Sequence, residues 1–317
     1  MHKLRNYVLC VFISIALFFS LLATQAVFFV KISVMNSKSY CSIVEEGSIT
    51  FNVYKQLESY YDMTSNTTGI SSEVFMNNLT PSCLKTIILS CIQNGFEYIN
   101  GTTDKLEYSS FELNGLNKDL EQVFSEYADD NSIEKDAEYN TRVNDFISQN
   151  EAAVFETADV YQFTTLDKMG YLKTMRTLNR YFNAGMFLSV LLTAVLIVCL
   201  FLANKKNKRN CTYWIGISLS LSSLICLAGA SYLNFSGYFN RFAVKSPHIY
   251  TAITSILHKF SQQLIIVNVI LLAAGVGMIV YFIFRGKDKR YEGMDNIHHH
   301  RHHHHHHSTE SSQSQQN

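Results

Sequence analysis

The chain contains four long apolar runs, and about 150 mostly polar residues separate the first run from the second. The runs cover residues 7–30, 184–203, 213–233 and 264–284. None of them contains Asp, Glu, Lys or Arg. Each has the roughly 20 residues that an α-helix needs to cross a hydrocarbon core about 30 Å thick. Because backbone amides in lipid must be satisfied within their own segment, the pattern predicts four transmembrane helices.

The first run can also be interpreted as a cleaved signal peptide, since the small residues Thr24 and Ala26 lie near its end. The apolar stretch continues through residues 27–30, well past the usual apolar region of about 7 to 15 residues. We therefore expect an uncleaved signal anchor. Cleavage would leave three membrane helices.

Lysine and arginine residues flank the apolar runs unevenly. They precede the first run, fill the link between the second and third, and follow the fourth: Lys3, Arg5, Lys205, Lys206, Lys208, Arg209, Arg285, Lys287, Lys289 and Arg290. Four crossings place these three groups on one side of the membrane, and the positive-inside rule makes that side cytoplasmic. We expect a multi-pass plasma-membrane protein with both termini in the cytoplasm.

The predicted domains follow from this topology. Residues 1–35 form the cytoplasmic N-terminus and first membrane helix, and residues 36–183 form an extracytoplasmic domain. Residues 184–285 supply the other three membrane helices with a short outer loop at 234–263, and residues 286–317 form a cytoplasmic tail.

Charge is distributed unevenly along the chain. Acidic and basic residues balance overall at 26 each, yet residues 36–182 hold 22 acidic and 11 basic residues, a net charge of about −11. A surface with this charge disfavours nucleic acid or anionic lipid as a partner of the outer segment. Its plainest interpretation is a solvated, soluble surface, and the partners we expect are the lipid bilayer and a protein.

The outer segment has a helical pattern almost throughout. Proline occurs only at Pro81 and Pro247, and no run alternates for long enough to predict a strand. Apolar positions over residues 43–61 predict that the first membrane helix continues outward as a stalk. A last helix is expected to run, with interruptions, into the second membrane helix. The predicted fold is therefore all-α: a four-helix transmembrane protein with a helical extracytoplasmic domain between its first and second membrane helices.

Shorter elements can be predicted within this segment. Ser71 or Ser72 begins a short helix, Pro81 occupies the first turn of the next, and residues 100–103 end that helix. A further helix over residues 113–127 carries an apolar stripe. Its predicted stripe is Leu116, Leu120, Val123, Phe124 and Tyr127.

The second outer loop predicts one more helix. Ser246 resembles an N-cap, and proline follows it at the first helical position. The apolar positions then fall on one face: Ile249, Ile253, Ile256, Leu257 and Phe260. Such a helix either lies at the membrane interface or packs under the outer domain, and we favour packing.

Three of the seven cysteines lie in the outer segment, at Cys41, Cys83 and Cys91. An odd number permits at most one internal disulfide there. Cys83 and Cys91 are eight residues apart, which is about 12 Å along one helix and too far for a bridge. Pairing of Cys41 with either one, and buried thiols at all three positions, both remain open.

The C-terminal tail is rich in histidine. The candidate metal ligands are His298, His299, His300, His302, His303, His304, His305, His306 and His307. Neutral imidazoles at this density bind zinc, nickel or copper. A metal-buffering tail, a low-complexity repeat without function and an expression tag are the three interpretations. We favour the repeat, because no Cys, Asp or Glu completes a defined site, and we expect no cofactor.

One resemblance rests on layout and on the segment SNTTGISSEVF at residues 65–75. A large outer domain after the first helix, followed by three closely spaced helices, resembles uncharacterised four-span membrane proteins of low-GC Gram-positive bacteria. That resemblance implies no activity. The layout is also similar to permease subunits of mechanotransmitting ABC systems, whose mixed α/β outer domains differ from the helical segment expected here.

No segment brings together the groups that catalysis requires. Glu45, Glu46, Asp129, Asp130 and Glu134 lack a His, Cys or metal partner at useful spacing. We therefore expect a non-enzymatic sensor, scaffold or interaction protein. The alternative is a transport-associated or metal-handling membrane protein that uses the histidine tail. The oligomeric state cannot be inferred from the sequence.

Overall fold

The computed structural model describes the backbone of residues 2–46, 48–106, 113–205 and 209–303, and side chains between residues 7 and 284 outside the same gaps. Within these residues the structure is helical, without strands, so the all-α prediction is confirmed. The α-helices are α1 (His2–Phe29), α2 (Ser37–Glu45), α3 (Ser48–Thr68), α4 (Ser72–Met76), α5 (Pro81–Asn100), α6 (Asn114–Asp130), α7 (Ala137–Ala158), α8 (Phe163–Lys168), α9 (Tyr171–Ala203), α10 (Arg209–Phe235) and α11 (Pro247–His303). A π-helix covers Val30–Val34, and a 3₁₀-helix covers Tyr238–Arg241.

The chain divides into two compact units. The first, here called the apolar unit, comprises Met1–Thr24, Ser189–Ala228 and Ile266–Asn317. The second, here called the helical domain, comprises Gln25–Leu188 and Gly229–Ile265. The helical domain therefore includes residues of the second polar loop as well as the long polar segment.

Four described helices are long and apolar enough to cross a membrane. They cover Tyr7–Val34, Tyr171–Ala203, Arg209–Phe235 and Pro247–Phe284. In the apolar unit many large apolar side chains point outward; Phe12, for example, is 67% exposed. An apolar surface of this extent belongs in lipid rather than in water. The chain is thus a multi-pass membrane protein by the length, composition and surface of its helices.

Hydroxyl groups connect the helices of the apolar unit. The side chains of Ser14 and Ser218 lie 2.8 Å apart and join α1 to α10. The hydroxyl oxygen of Thr193 on α9 lies 2.8 Å from that of Ser20 and 3.2 Å from that of Thr24. Hydrogen bonds of this kind supply specificity where lipid provides no hydrophobic driving force between helices.

Glycines bring α10 and α11 into close contact in this unit. A Cβ added to Gly216 on α10 would meet the carbonyl oxygen of Gly275 on α11 at 2.9 Å. In the sequence, Gly216, Ser220, Ala273 and Gly277 are small residues at four-residue spacing, which predicts close helix contacts at Ala273 and Gly277 of α11. That prediction is wrong, because both are exposed and Gly275 is the buried one. The four-residue spacing thus predicted a close contact of α11 but placed it on the wrong face of that helix.

The helical domain has one continuous hydrophobic core. Helix α5 packs against α2, α3, α7 and α8, and α4 packs against α3 and α6. The core includes the fully buried Leu57, Ile88 and Leu120. The ring of Tyr61 stacks on that of Phe75 with centroids 4.3 Å apart. Burial of this apolar surface is the main stabilising contribution to the domain.

Helix caps explain the boundaries of several elements. The side chain of Ser71 accepts a hydrogen bond from the Glu73 amide and begins α4. Thr80 caps α5, with Pro81 at its first position, and Gly101 ends α5 at φ +79°. Each boundary follows the local sequence rules and was predicted from them.

The stalk prediction for residues 43–61 is wrong in its continuity. The π-helix follows α1, and the helix ends at Met35. The side chain of Asn36 then caps the start of α2. The predicted apolar stripe is divided between α2 and α3. By contrast, α9 is one continuous helix over its 33 residues, as expected for the end of the polar segment.

The start of α11 packs into the core of the helical domain. Ala252, Ile256 and Phe260 are core residues, which confirms packing over the interfacial alternative. Lys259 donates a hydrogen bond to Ser42, and Asn52 donates one to Thr251 at 3.0 Å. The buried face is rotated from the predicted one, since Ile249 and Ile253 are only half-buried.

Candidate functional site

The histidine tail lies largely outside the described part of the chain. Backbone helix continues to His303, but the side chains from residue 285 onward are not described, and neither is any atom of residues 304–307. The proposed metal ligands from His298 to His307 therefore remain a prediction.

No cluster of three or more His, Cys, Asp or Glu side chains that could hold a metal ion occurs within the described residues. The two described histidines of α11 have packing environments. His248 is 5% exposed, and the ring of His258 lies 5.2 Å from that of Phe239 and 3.1 Å from the Asn234 amide oxygen. The burial of His248 and the contacts of His258 indicate packed side chains at the start of α11.

No disulfide joins Cys41, Cys83 and Cys91 of the helical domain. Cys91 is buried in the core, and Cys41 is half-buried beside the aromatic residues around Tyr40. Burial, with a smaller contribution from Glu45, raises the pKa of the Cys41 thiol. A raised pKa lowers the thiolate fraction at neutral pH, so this environment is unlike that of a nucleophilic cysteine.

Among the described residues of the domain, the most buried carboxylate belongs to Asp159, which is 2% exposed. One oxygen accepts a hydrogen bond from the Phe163 amide at 2.9 Å, and the other accepts one from the Thr164 amide at 2.7 Å. The carboxylate therefore satisfies the first amides of α8. Both oxygens have structural partners, which explains its burial without a catalytic role.

A groove with an apolar floor lies between α6 and α7. It has a volume of about 560 Å³, and we call it the α6–α7 groove. Its lining residues are Phe124, Tyr127, Ile133, Glu134, Asp136, Glu138, Tyr139, Arg142, Val143 and Phe146. Phe124 and Phe146 meet edge to face at 5.1 Å and join the core beneath, whereas Tyr127 is 61% exposed and Ile133 is 44% exposed.

The turn after α6 places Ile133 at this groove. Ser132 adopts a left-handed conformation with φ +53°, which is uncommon for a residue other than glycine. The amide of Ile133 then donates to the Ala128 carbonyl at 2.8 Å, as in a Schellman cap. An aliphatic side chain is thus held at the surface by a backbone conformation that is costly for serine.

The rim of the α6–α7 groove is acidic. Glu134, Asp136 and Glu138 stand against one arginine, Arg142, which pairs with Glu138 at 2.5 Å. The nearby Lys135 is neutralised by Asp129 at 2.7 Å. An exposed apolar floor with a negative rim suits a partner that presents apolar and cationic side chains together.

Part of this surface can be predicted from the sequence. The sequence places Tyr127 on the buried stripe of its helix, and that prediction is wrong because the stripe continues from the half-buried Phe124 to the buried Ala128 and leaves Tyr127 exposed. Ile133 was missed. The available signal was a single isoleucine between acidic residues in the segment DDNSIEKDAE, where a solvated turn needs no aliphatic side chain.

A second groove, basic in character, lies between the end of α5 and the start of α9, with a volume of about 710 Å³. We call it the α5–α9 groove. Its charged lining residues are Lys173, Arg176 and Arg180, and Tyr98, Asn100 and Gly101 line the opposite wall. Periodicity predicted the helix α9 but gave no indication that its cations face the end of α5.

Comparisons with protein-family models, curated proteins and solved structures found no match. The resemblance in layout to four-span membrane proteins of low-GC Gram-positive bacteria therefore stays a prediction.

Proposed function

We propose that this protein is a non-enzymatic sensor or interaction protein of the plasma membrane, which displays the helical domain outside the cell and binds a protein partner through the α6–α7 groove. The observation that carries the proposal is the exposed pair of Tyr127 and Ile133 beside acidic side chains. The hydrophobic floor supplies affinity, and the negative rim selects the partner.

The expected occupant is a cationic amphipathic segment of a protein. Its apolar face covers Tyr127 and Ile133, and its lysines or arginines approach Glu134 and Asp136. A second copy of the acidic helical domain is a poor occupant, because its net charge of about −11 over residues 36–182 would repel the same rim.

The test uses the full-length chain in nanodiscs of zwitterionic lipid. The probe is a fluorescent helical peptide with leucines on one face and lysines on the other, and its twin carries glutamates in place of the lysines. We expect fluorescence anisotropy to show binding of the lysine peptide only, after subtraction of the signal from empty nanodiscs. Equal binding of the two peptides would contradict the charge complementarity.

A matched pair of variants locates the binding site. Replacing Tyr127 and Ile133 by alanine should weaken binding of the lysine peptide about tenfold, since the apolar contact is lost. The control replaces Tyr60 and Met63, which are also exposed apolar residues but lie on α3. An equal loss in the control would show that the peptide does not use the α6–α7 groove.

A further inference from the structure

The helical domain is acidic overall, but the part of its sequence just before the second apolar run is basic. After Asp167 no acidic residue occurs until Asp288. Over the same stretch, Lys173, Arg176 and Arg180 precede the apolar run that begins at residue 184. The net charge of residues 36–182, which disfavours an anionic partner, thus conceals a local excess of positive charge.

These three cations share one face of α9. Positions 173, 176 and 180 are three and four residues apart, so their side chains project to the same side over about 10 Å of helix. The opposite wall of the α5–α9 groove is the last turn of α5, which contributes Tyr98, Asn100 and Gly101. The groove therefore presents cations on one side and polar or aromatic groups on the other.

A buried asparagine holds the two walls in register. Asn179 is 4% exposed, and its side-chain nitrogen donates to the Asn100 side chain at 2.9 Å and to the Ile99 carbonyl at 3.3 Å. Its side-chain oxygen accepts a hydrogen bond from Lys31 at 2.7 Å. All polar atoms of this side chain have partners, so α9 is fixed against the end of α5.

Arg176 is held in place before any ligand arrives. Its guanidinium lies 5.4 Å from the ring centroid of Tyr98 and 3.0 Å from a carboxylate oxygen of Asp104. A Cβ added to Gly101, which has φ +79°, would lie 3.3 Å from the Arg176 Nε. The glycine thus allows the guanidinium to approach the helix end, and a positioned guanidinium loses little entropy on binding an oxyanion.

The positive charge of the groove is incompletely neutralised. Asp104 is 93% exposed, so its pair with Arg176 is weak and screened. Within the described residues, neither Lys173 nor Arg180 forms an ion pair. Three cations and one solvated carboxylate give the groove a net positive charge, which favours binding of an anion with several acceptor oxygens.

We propose that the α5–α9 groove binds a phosphate group, supplied by the headgroup of an anionic phospholipid. Guanidinium groups match the tetrahedral oxygens of phosphate, and the ammonium of Lys173 adds a mobile third charge. Arg180 lies four residues, or about 6 Å along the helix, before the apolar run at residue 184. Tyr181, the next residue, is 68% exposed. Tyrosine side chains are enriched at the interface between membrane and water, which suits a site for a lipid headgroup.

The experiment measures ligand binding to the full-length chain in a neutral detergent by native mass spectrometry. The probes are phosphatidylglycerol, phosphatidylcholine and inorganic phosphate. We expect phosphatidylglycerol to bind at least tenfold more tightly than phosphatidylcholine. Binding of inorganic phosphate, without preference for the anionic lipid, would assign the same site to a soluble phosphate instead.

Two double variants distinguish a site from general electrostatics. Lys173→Gln with Arg180→Gln should reduce phosphatidylglycerol binding about tenfold, while helical circular dichroism and melting temperature stay unchanged. Lys85→Gln with Lys118→Gln removes the same charge elsewhere in the domain and should change binding less than twofold. Equal losses in the two variants, or no binding of either phosphate probe to the unaltered chain, would overturn the proposal.

Discussion

Gly95 lies directly beneath the ring of Phe163, and a Cβ added at Gly95 would come within 2.6 Å of the ring carbon Cγ. The glycine sits within α5 and the phenylalanine begins α8. Because α8 is capped by the buried Asp159, the ring cannot withdraw without moving the cap. This contact fixes the distance between α5 and α8.

Gly95→Ala should therefore destabilise the protein, although alanine is about 1 kcal/mol better than glycine in an unconstrained helix. Overpacking against Phe163 costs roughly 1 to 3 kcal/mol and outweighs that gain. The measurement is the melting temperature of the detergent-solubilised chain, followed by circular dichroism.

The matched control is the same substitution in a Phe163→Ala background. With the ring removed, Gly95→Ala should be neutral or stabilising, which gives a coupling between the two sites. A higher melting temperature for Gly95→Ala in the unaltered background would contradict the packing described here.

The crossing of α10 and α11 offers a similar comparison within the apolar unit. A Cβ at Gly275 would lie 2.4 Å from the Ser220 hydroxyl and 2.9 Å from the Ser220 amide nitrogen, whereas one at Gly277 would meet nothing within 4 Å. Gly275→Ala should lower the melting temperature in detergent, since the helices must move apart. Gly277→Ala should leave it unchanged, and an equal effect of the two substitutions would mean that the crossing uses another face.

Much of the fold could be predicted, because it is encoded locally. The apolar runs, the proline at the start of α5 and the glycine at its end each act within one or two turns of the chain. The choice of helix face is different. Whether Gly275 or Gly277 is buried, and whether Tyr127 is covered, depends on which helix packs there.

The candidate sites were harder to predict than the fold. The α6–α7 groove requires knowledge that Ser132 turns the chain so that Ile133 stays at the surface. The α5–α9 groove brings Arg176 and Asp104 together across 72 residues of sequence. The net charge of the whole segment is negative, so it gives no sign of the local positive charge in the α5–α9 groove.

The half-buried Tyr40 and the fully buried Tyr61 should respond in opposite ways to loss of the hydroxyl group. Tyr40 donates a hydrogen bond to the Val34 carbonyl at 3.0 Å, whereas the Tyr61 hydroxyl has no hydrogen-bond partner within the described residues. Tyr40→Phe should destabilise by about 1 kcal/mol, and Tyr61→Phe should be neutral or stabilising by a similar amount. The check is the change in melting temperature for each variant, and a larger loss for Tyr61→Phe would refute the assignment.

The same side chains predict a loss of stability in alkali. Burial raises the pKa of Tyr40 to about 12, and it also raises the pKa values of Tyr61 and Tyr161. Because the folded state favours the protonated phenol, this contribution to stability is complete below the unfolded-state pKa of about 10 and declines as the pH rises towards 12.

Replacing all three tyrosines by phenylalanine removes these titrations. Between pH 9 and pH 12 the melting temperature of the unaltered chain should fall more steeply than that of the triple variant. Parallel curves would show that these phenols do not control alkaline stability.

The topology can be tested directly with single cysteines in a background from which the seven native cysteines have been removed. The three segments expected on the cytoplasmic side hold ten lysines and arginines. The other side holds three in the short loop 234–263 and five beside the first and second runs, namely Lys31, Lys38, Lys173, Arg176 and Arg180, so the excess favours the first group as cytoplasmic. Asn207→Cys and Asp288→Cys should resist a membrane-impermeant maleimide in intact cells, and Asp130→Cys, on the exposed end of α6, should react. After permeabilisation all three should react, which controls for burial. Labelling at position 207 from outside intact cells would reverse the orientation and place the α6–α7 groove in the cytoplasm, where its partner would have to be sought.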